Sequence, residues 1–231
     1  MKTERDVLAQ QPKFRKNKNF QTRLISAAFL IPLSLGLIYI GPPISLIFGG
    51  IIILCLFIEW GLLCFKSPLP FFSKLLFIIL GTFYVSLSIY WIIPYLALNE
   101  GWKFIFWLLF LVWSTDSFAY LGGSMMGGPK LAPSISPNKT WSGFMTGMIG
   151  GVLVGYSAGL WLLPGIFSFV AIIALVFVAQ AGDLLESQAK RWSQVKDSSS
   201  LIPGHGGFLD RLDSFLAVSF ALALWQILHL S

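Results

Sequence analysis

Residues 44–65 read ISLIFGGIIILCLFIEWGLLCF, an apolar stretch that contains a single charged side chain, Glu59. A helix needs about 20 mostly apolar residues to cross the hydrocarbon core of a bilayer. Similar stretches occupy residues 24–40, 71–96, 103–123, 141–162, 165–186 and 208–230, and proline, glycine or charged residues separate them. The sequence therefore predicts an all-α, polytopic membrane protein with about seven transmembrane helices.

The composition of the whole chain agrees with this fold class. Hydrophobic residues make up 56% of the 231 positions and charged residues only 11%, whereas soluble domains carry about 25% charged residues. Seven helices with short connections leave no room for a separate soluble domain. We therefore predict a basic N-terminal tail over residues 1–23 and a single transmembrane domain over residues 24–231.

Basic residues set the predicted orientation, because an excess of Lys and Arg marks the cytoplasmic loops of membrane proteins. If the N-terminus is cytoplasmic, Lys103 is the only one of the 16 Lys and Arg residues that falls on the outer side. We therefore predict a cytoplasmic N-terminus. The run 24–40 lacks a small-residue cleavage pattern, so it is expected to be a retained anchor and not a signal peptide.

A stripe of glycines follows one face of the predicted helix over residues 141–162. They recur at every fourth position, at Gly143, Gly147, Gly151, Gly155 and Gly159. Small residues at this spacing let another helix approach closely in a membrane. We expect the stripe to serve packing and to carry no chemistry.

Carboxylates within or at the ends of the apolar stretches are the first candidates for function, since charge inside a membrane needs a partner or a purpose. They lie toward the predicted cytoplasmic side and are Glu59, Asp116, Asp183, Glu186, Asp210 and Asp213. For Glu59 we expect structural pairing with a lysine or hydroxyl of a neighbouring helix. Two cysteines and two histidines make no zinc ligand set, so any metal should be bound by oxygen.

The densest polar region runs over residues 182–213. If the helix continues past Asp183, Ser187 and Lys190 share its face, four and seven residues further on. Asp210 and Asp213 begin the last apolar helix, and the loop before them supplies cations and glycines. Carboxylates can hold Mg²⁺, cations can neutralise phosphate, and bare glycine amides can approach an anion. This mixture favours a polyphosphate bound through a divalent cation.

A second polar cluster joins the fourth apolar stretch to the fifth. Asp116 and Tyr120 are one helical turn apart, although Tyr120 taken alone is also explained as an interfacial aromatic. Lys139 and Thr140 directly precede a helix. They are either a phosphate contact or a topology-setting charge followed by an N-cap.

The pattern Ser187-x-x-Lys190-Arg191-x4-Lys196-Asp197-x5-Pro203-x-His205-Gly206-Gly207-x-x-Asp210-Arg211-x-Asp213 resembles the signature of phosphatidate cytidylyltransferases, the CDP-diacylglycerol synthases. A second block of that family resembles Asp116-x-x-Ala119-Tyr120 and Ser136-Pro137-Asn138-Lys139-Thr140-Trp141-x-Gly143. Ser142 stands where the family usually has an acidic residue. The resemblance covers about residues 105–215, the expected catalytic region.

The resemblance implies the reaction of CTP with phosphatidate to give CDP-diacylglycerol and pyrophosphate, in phospholipid biosynthesis. It implies Mg²⁺ bound by Asp183 and Asp210, with a second, monovalent cation left open, and Asp213 assisting or orienting Arg211. The expected catalytic residues are Asp183, Asp210, Lys190, Arg191, Lys196 and Asp213. The expected substrate-binding residues are Asp116, Tyr120, Lys139, Thr140, Ser187, His205, Gly206, Gly207 and Arg211.

The expected partners are CTP, phosphatidate and membrane lipid, with no nucleic acid, and the resemblance is compatible with a homodimer. It also implies a bacterial inner membrane, with the active site facing the cytoplasm.

Three alternatives remain at this point. An ion-coupled transporter predicts acids near the middle of the bilayer and a repeat between the two halves, and the sequence has neither. Another CDP-lipid enzyme, a CDP-alcohol phosphotransferase, would carry Asp-Gly-x2-Ala-Arg-x8-Gly-x3-Asp-x3-Asp, which is missing here. A purely structural membrane subunit leaves the charged loop without a purpose.

Overall fold

The computed structural model describes residues 13–202 and 206–230, and the side chains of residues 26–202 and 206–229. His205 lies outside these residues, as does most of the basic tail. Within the described residues, the chain forms seven helices: α1 Lys13–Ile40, α2 Ile44–Lys66, α3 Phe71–Ala97, α4 Trp102–Met126, α5 Trp141–Leu162, α6 Phe169–Trp192 and α7 Leu209–Leu230. The predicted all-α class is confirmed.

Six of these helices, α2 to α7, are long and apolar enough to cross a membrane. The apolar part of α1 with described side chains, Ser26–Ile40, is shorter. The chain is therefore a multi-pass membrane protein, while the seventh span and the cytoplasmic N-terminus stay predictions. The helix α6 continues past Asp183 and Lys190 to Trp192, so the face inferred from their spacing does form.

A small β-hairpin interrupts the helical fold between α4 and α5. Strand β1 is Lys130–Ala132 and strand β2 is Ser136–Thr140, and they pair antiparallel with Lys130 opposite Thr140. The sequence predicted only a connection here. The segment is too short to show the alternating pattern of a strand, and it contains a proline, which argues against one. The proline is tolerated here because both strands are edge strands.

The glycine stripe of α5 packs on α4, as predicted. A methyl group added at Gly147 would lie 2.9 Å from the Ala119 Cβ and 3.0 Å from the Thr115 carbonyl oxygen. The Trp107 indole donates a 2.9 Å hydrogen bond to the Gly155 carbonyl, which a side chain on this face would obstruct. The close approach fixes α4, and with it Asp116, against α5.

The helix α4 also forms the centre of the apolar core. The side chains of Trp107, Leu108 and Leu111 are fully buried, and the Trp107 ring stacks on Phe167 with centroids 4.4 Å apart. The polar segments gather at one end of the bundle, where Arg191 at the end of α6 donates to the Ile135 carbonyl of the hairpin at 3.1 Å. At the opposite end the Ser45 hydroxyl donates to the Leu96 carbonyl at 2.6 Å.

Candidate active site

A cavity of about 1120 Å³ connects the polar end of the bundle with its apolar interior. Apolar side chains of α1 to α4, such as Leu30, Ile52, Ile92 and Leu109, line one part of it. The other part is lined by nine of the predicted site residues: Asp116, Tyr120, Lys139, Thr140, Asp183, Lys190, Asp210, Arg211 and Asp213. The two polar clusters, far apart in the sequence, therefore form one site.

Two carboxylates of this site lie deeper than the helix ends. Asp116 is ten residues before Met126, the last residue of α4, and Asp183 is nine residues before Trp192, the last residue of α6. At a rise of about 1.5 Å per residue these positions are about 14–15 Å from the helix ends. The site is a recess within the bundle and not a surface at its edge.

An ion pair joins the two clusters across this recess. The Lys139 ammonium at the end of β2 lies 2.6 Å from the Asp183 carboxylate, and both side chains keep 25–33% of their surface exposed. The next residue, Thr140, accepts a 3.1 Å hydrogen bond from the Gly143 amide and caps α5. The N-cap interpretation of Thr140 is confirmed, and Lys139 is held at the cavity by the same turn.

Lys190 lies inside a triad of charges and not in the open part of the cavity. Its ammonium is 2.5 Å from Glu186, one turn earlier in α6, and 2.9 Å from Asp210 at the start of α7. Its side chain is 12% exposed. In this conformation Lys190 neutralises two buried carboxylates and ties α6 to α7.

Most acceptor positions of Asp210 are occupied by groups of the chain. Its carboxylate accepts hydrogen bonds from Lys190 at 2.9 Å, from the Gly207 amide at 2.8 Å and from the Ser198 amide at 3.0 Å. The Ser198 hydroxyl lies 3.0 Å from both Asp210 and Glu59, and its single hydrogen can be donated to one of them at a time. A carboxylate offers about four lone-pair sites. Asp210 therefore orders the loop before α7, and hydrogen bonds from the chain occupy most of its lone pairs.

Glu59 completes the support of this loop from a helix outside the predicted site. Its buried carboxylate accepts from the hydroxyls of Ser198 at 3.0 Å and Ser199 at 2.6 Å. It also accepts from the backbone amides of Phe208 at 2.9 Å and Leu209 at 2.7 Å. The expected hydroxyl partners exist, but the loop supplies them, whereas the sequence analysis expected a neighbouring helix.

Three other carboxylates, Asp116, Asp183 and Asp213, lie near enough to one another to interact electrostatically. Asp213 accepts a 2.7 Å hydrogen bond from the Ser214 amide through one oxygen. Among the described residues, no three acidic, histidine or cysteine side chains are close enough together to hold a metal ion. The three carboxylates share the cavity, and cations between and around them moderate their repulsion.

Residues 61–228 match the sequence profile of the cytidylyltransferase family. The chain belongs to this family. A phosphatidate cytidylyltransferase of Rickettsia felis is 32% identical over 226 residues, 93% of this chain and 95% of the relative. Proteins with the same name from Bacillus subtilis and Brucella abortus are 40% identical over 163 residues (67% of this chain, 61% of the relative) and 48% identical over 131 residues (54% and 47%). The family predicted from the sequence is confirmed.

Not every residue of the cytidylyltransferase pattern lies at the cavity. Lys196 and Arg191 are exposed, Ser187 is buried, and none of the three lines the cavity. Gly206 has φ +86°, a conformation that favours glycine, and its carbonyl accepts from the Ile202 amide at 2.8 Å. A side chain at Gly207 would overlap Ser198 and Glu59. These two glycines shape the loop.

Several polar residues of this cytidylyltransferase site were not selected from the sequence. Asn138, Gln180 and Asp197 line the cavity, and Gln180 donates to the Phe144 carbonyl at 3.3 Å. Asn138 and Asp197 belong to the quoted family blocks, and Gln180 is a lone amide in an apolar helix, so each carried a signal. Ser198 carried none, because its importance depends on its two carboxylate partners.

Proposed function

We propose that this chain is a phosphatidate cytidylyltransferase, which converts CTP and phosphatidate into CDP-diacylglycerol and pyrophosphate. The observation that carries the proposal is the mixed lining of a single cavity. Its polar part suits the phosphates of both substrates, and its apolar part, between α1 and α4, suits the acyl chains of a lipid. The names of the similar bacterial proteins support the same reaction.

The reaction joins a lipid phosphate to the cytidylyl group. An oxygen of the phosphatidate phosphate attacks the α-phosphorus of CTP, the bond from that phosphorus to the bridging oxygen of the β-phosphate breaks, and pyrophosphate leaves. A phosphate monoester has a second pKa of about 6, so the attacking oxygen carries no proton at neutral pH. The site therefore needs no general base, and positioning with charge neutralisation supplies the rate enhancement.

Lys139 and Arg211 line the cavity and are the cations proposed to contact phosphate. Lys139 pairs with Asp183 and is partly exposed, so a phosphate oxygen can replace this partner without a new buried charge being created. Lys190 keeps the acids Glu186 and Asp210 in place. Lys190 thus acts on the geometry of the site, in addition to its contribution to the positive potential there.

The Mg²⁺ ligands proposed here are Asp183 and Asp213, whereas the resemblance implies Asp183 and Asp210. Asp210 already accepts hydrogen bonds from Lys190, Gly207 and Ser198, while Asp213 uses one oxygen for the Ser214 amide and lines the same cavity as Asp183. Asp183 and Asp213 would hold the ion, with Asp116 nearby. When bound, Mg²⁺ would neutralise charge on the phosphate oxygens of CTP.

The polar end of the bundle is proposed to face the cytoplasm of a bacterial cell, at the inner membrane. The Lys and Arg distribution of the sequence supports this orientation. Lys103, the residue left on the outer side, forms a 2.8 Å ion pair with Glu100. CTP then enters from the cytosol while phosphatidate arrives from the leaflet. A homodimer stays a prediction from the resemblance.

The direct test incubates the purified protein in detergent with CTP labelled at the α-phosphate, Mg²⁺ and phosphatidate, and follows the label into lipid. We expect labelled CDP-diacylglycerol only when phosphatidate is present. Replacing phosphatidate by diacylglycerol, which lacks the attacking phosphate, is the matched control and should give no labelled lipid. Folded protein that forms no product with phosphatidate would refute the proposal.

A further inference from the structure

Glu59 is a buried carboxylate to which the proposed chemistry assigns no task. It lies in α2, its side chain is fully buried, and the family profile begins just after it, at residue 61. A buried carboxylate needs several hydrogen bonds to offset the loss of hydration. Glu59 obtains them from four donors, all of them between residues 198 and 209.

Two of these donors belong to the beginning of α7. The amides of Phe208 and Leu209 lie at the N-terminal end of α7, where backbone N–H groups have no partner within the helix. A negative charge at this position also interacts favourably with the helix dipole. Glu59 therefore caps α7 from another helix. This cap fixes the direction in which the next residue, Asp210, leaves the backbone.

The Ser198 hydroxyl connects Glu59 with Asp210. Its oxygen lies 3.0 Å from a Glu59 carboxylate oxygen and 3.0 Å from a carboxylate oxygen of Asp210, and Ser198 is almost completely buried. Gly207 packs so closely that a Cβ there would overlap Ser198 and both oxygens of Glu59. The three polar side chains therefore form a single rigid contact between α2, the loop and α7.

We propose that Glu59 is a positioning residue for cytidylyl transfer, acting through Ser198 and the first turn of α7 on the placement of Asp210 and Lys190. This inference rests on the proposed function, since Glu59 itself touches no substrate. Its effect should appear in the rate of the chemical step, because small displacements of charged groups matter most in the transition state.

Ser198 and Ser199 offer a matched pair of variants. Each hydroxyl donates one hydrogen bond to Glu59, but only that of Ser198 also reaches Asp210. The Ser199 hydroxyl has a second bond as well, which it accepts from the Leu201 amide at 3.1 Å. Ser198 is the more buried of the two, so Ser198→Ala is expected to lower the melting temperature more than Ser199→Ala. The kcat values are therefore compared well below both melting temperatures, where a purely structural role predicts similar kcat in the two variants.

The experiment measures kcat, KM for CTP and melting temperature of the full-length protein in detergent with phosphatidate. Ser198→Ala should lower kcat by about 10-fold or more, as loss of a hydrogen bond that supports an active site does, with little change in KM. Ser199→Ala should lower kcat by less than about 3-fold. Glu59→Gln should lower kcat by about 10- to 100-fold. The exposed Ser200 in the same loop provides the neutral control, Ser200→Ala.

Equal kcat losses in folded Ser198→Ala and Ser199→Ala, measured well below both melting temperatures, would overturn the positioning role. Because Glu59→Gln can fail to fold, the comparison of the two serine variants decides the question by itself. Wild-type protein without activity would reject the proposed function and with it the role of Glu59. Active wild-type protein with indistinguishable serine variants would reject only the positioning role.

Discussion

Two groups of carboxylates lie at the polar end of the bundle, and they differ in what satisfies their charge. The side chains of the loop group, Glu59 and Asp210, are buried, and their carboxylates accept several hydrogen bonds from the chain. The cavity group, Asp116, Asp183 and Asp213, lines the same cavity as Asp210 but carries fewer internal partners. The first arrangement holds a loop in one conformation, and the second leaves charge available to a ligand. The same chemical group thus serves stability in one place and binding in the other.

The largest effect on activity is expected for Asp183→Asn. This change keeps the size of the side chain but removes a charge that faces the cavity, and loss of a group that stabilises transition-state charge lowers the rate by about 100-fold or more. The melting temperature should change little, because the lost ion pair with Lys139 is partly exposed. The labelled-CTP assay and a thermal unfolding scan measure the two quantities. Activity within 10-fold of wild type would remove Asp183 from the reaction.

In contrast to Asp183→Asn, Asp210→Asn should lower the stability of the protein strongly. The amide places an NH₂ group against the donors of Ser198, Gly207 and Lys190, and disruption of a buried, paired charge lowers the free energy of unfolding by about 3 kcal/mol. Activity should fall because the loop is lost. A melting temperature unchanged from wild type would show that Asp210 does not belong to the loop group.

Gly207→Ala should weaken the loop group by a smaller amount and without any change of charge. The added methyl group would overlap the Ser198 hydroxyl and the Glu59 carboxylate, and such overpacking lowers the free energy of unfolding by about 1–3 kcal/mol. Gly165→Ala is a poor control because Gly165 has a positive φ, whereas Gly61 in α2 has open space around it. Gly61→Ala should keep or slightly raise the wild-type melting temperature, because alanine favours the helix more than glycine does. Equal melting temperatures for the two alanine variants would contradict the packing around Gly207.

The smallest expected effect is that of Lys139→Gln on substrate binding. The change removes the cation that pairs with Asp183 and is proposed to contact phosphate, so KM for CTP should rise by about 10-fold or less. The Thr140 cap uses a different side chain, so the fold should persist. Steady-state kinetics at varied CTP measure the change. A KM equal to that of wild type would exclude Lys139 from the CTP site.

The fold was largely predictable because each helix that crosses a bilayer needs about 20 mostly apolar residues. The apolar stretches at 44–65 and 141–162 agree with α2 and α5 to within one residue. The end of α6 was less accurate, since Lys190 and Arg191 remain helical despite their charge. The hairpin was not predictable, because β1 and β2 together span few residues and owe their pairing to the segments on either side.

The sequence predicted which residues form the site better than it predicted what each of them does. The motifs identified Asp183 and Asp210 together, and nothing in their spacing shows which one accepts several hydrogen bonds from the chain. That distinction depends on the fold of the loop, where Ser198 and Gly207 turn their donors toward Asp210. Glu59 was visible as a lone charge in an apolar stretch, but its partners lie about 140 residues later in the chain.

The most direct test of this division is the binding of Mn²⁺, as a paramagnetic substitute for Mg²⁺, followed by electron paramagnetic resonance in wild type and three variants. We predict that Asp183→Asn and Asp213→Asn, which alter the cavity group, lose bound Mn²⁺ in the presence of CTP. Folded Asp210→Asn protein should retain it, because Asp210 belongs to the loop group. Loss of Mn²⁺ in folded Asp210→Asn, together with normal binding in Asp213→Asn, would contradict the account.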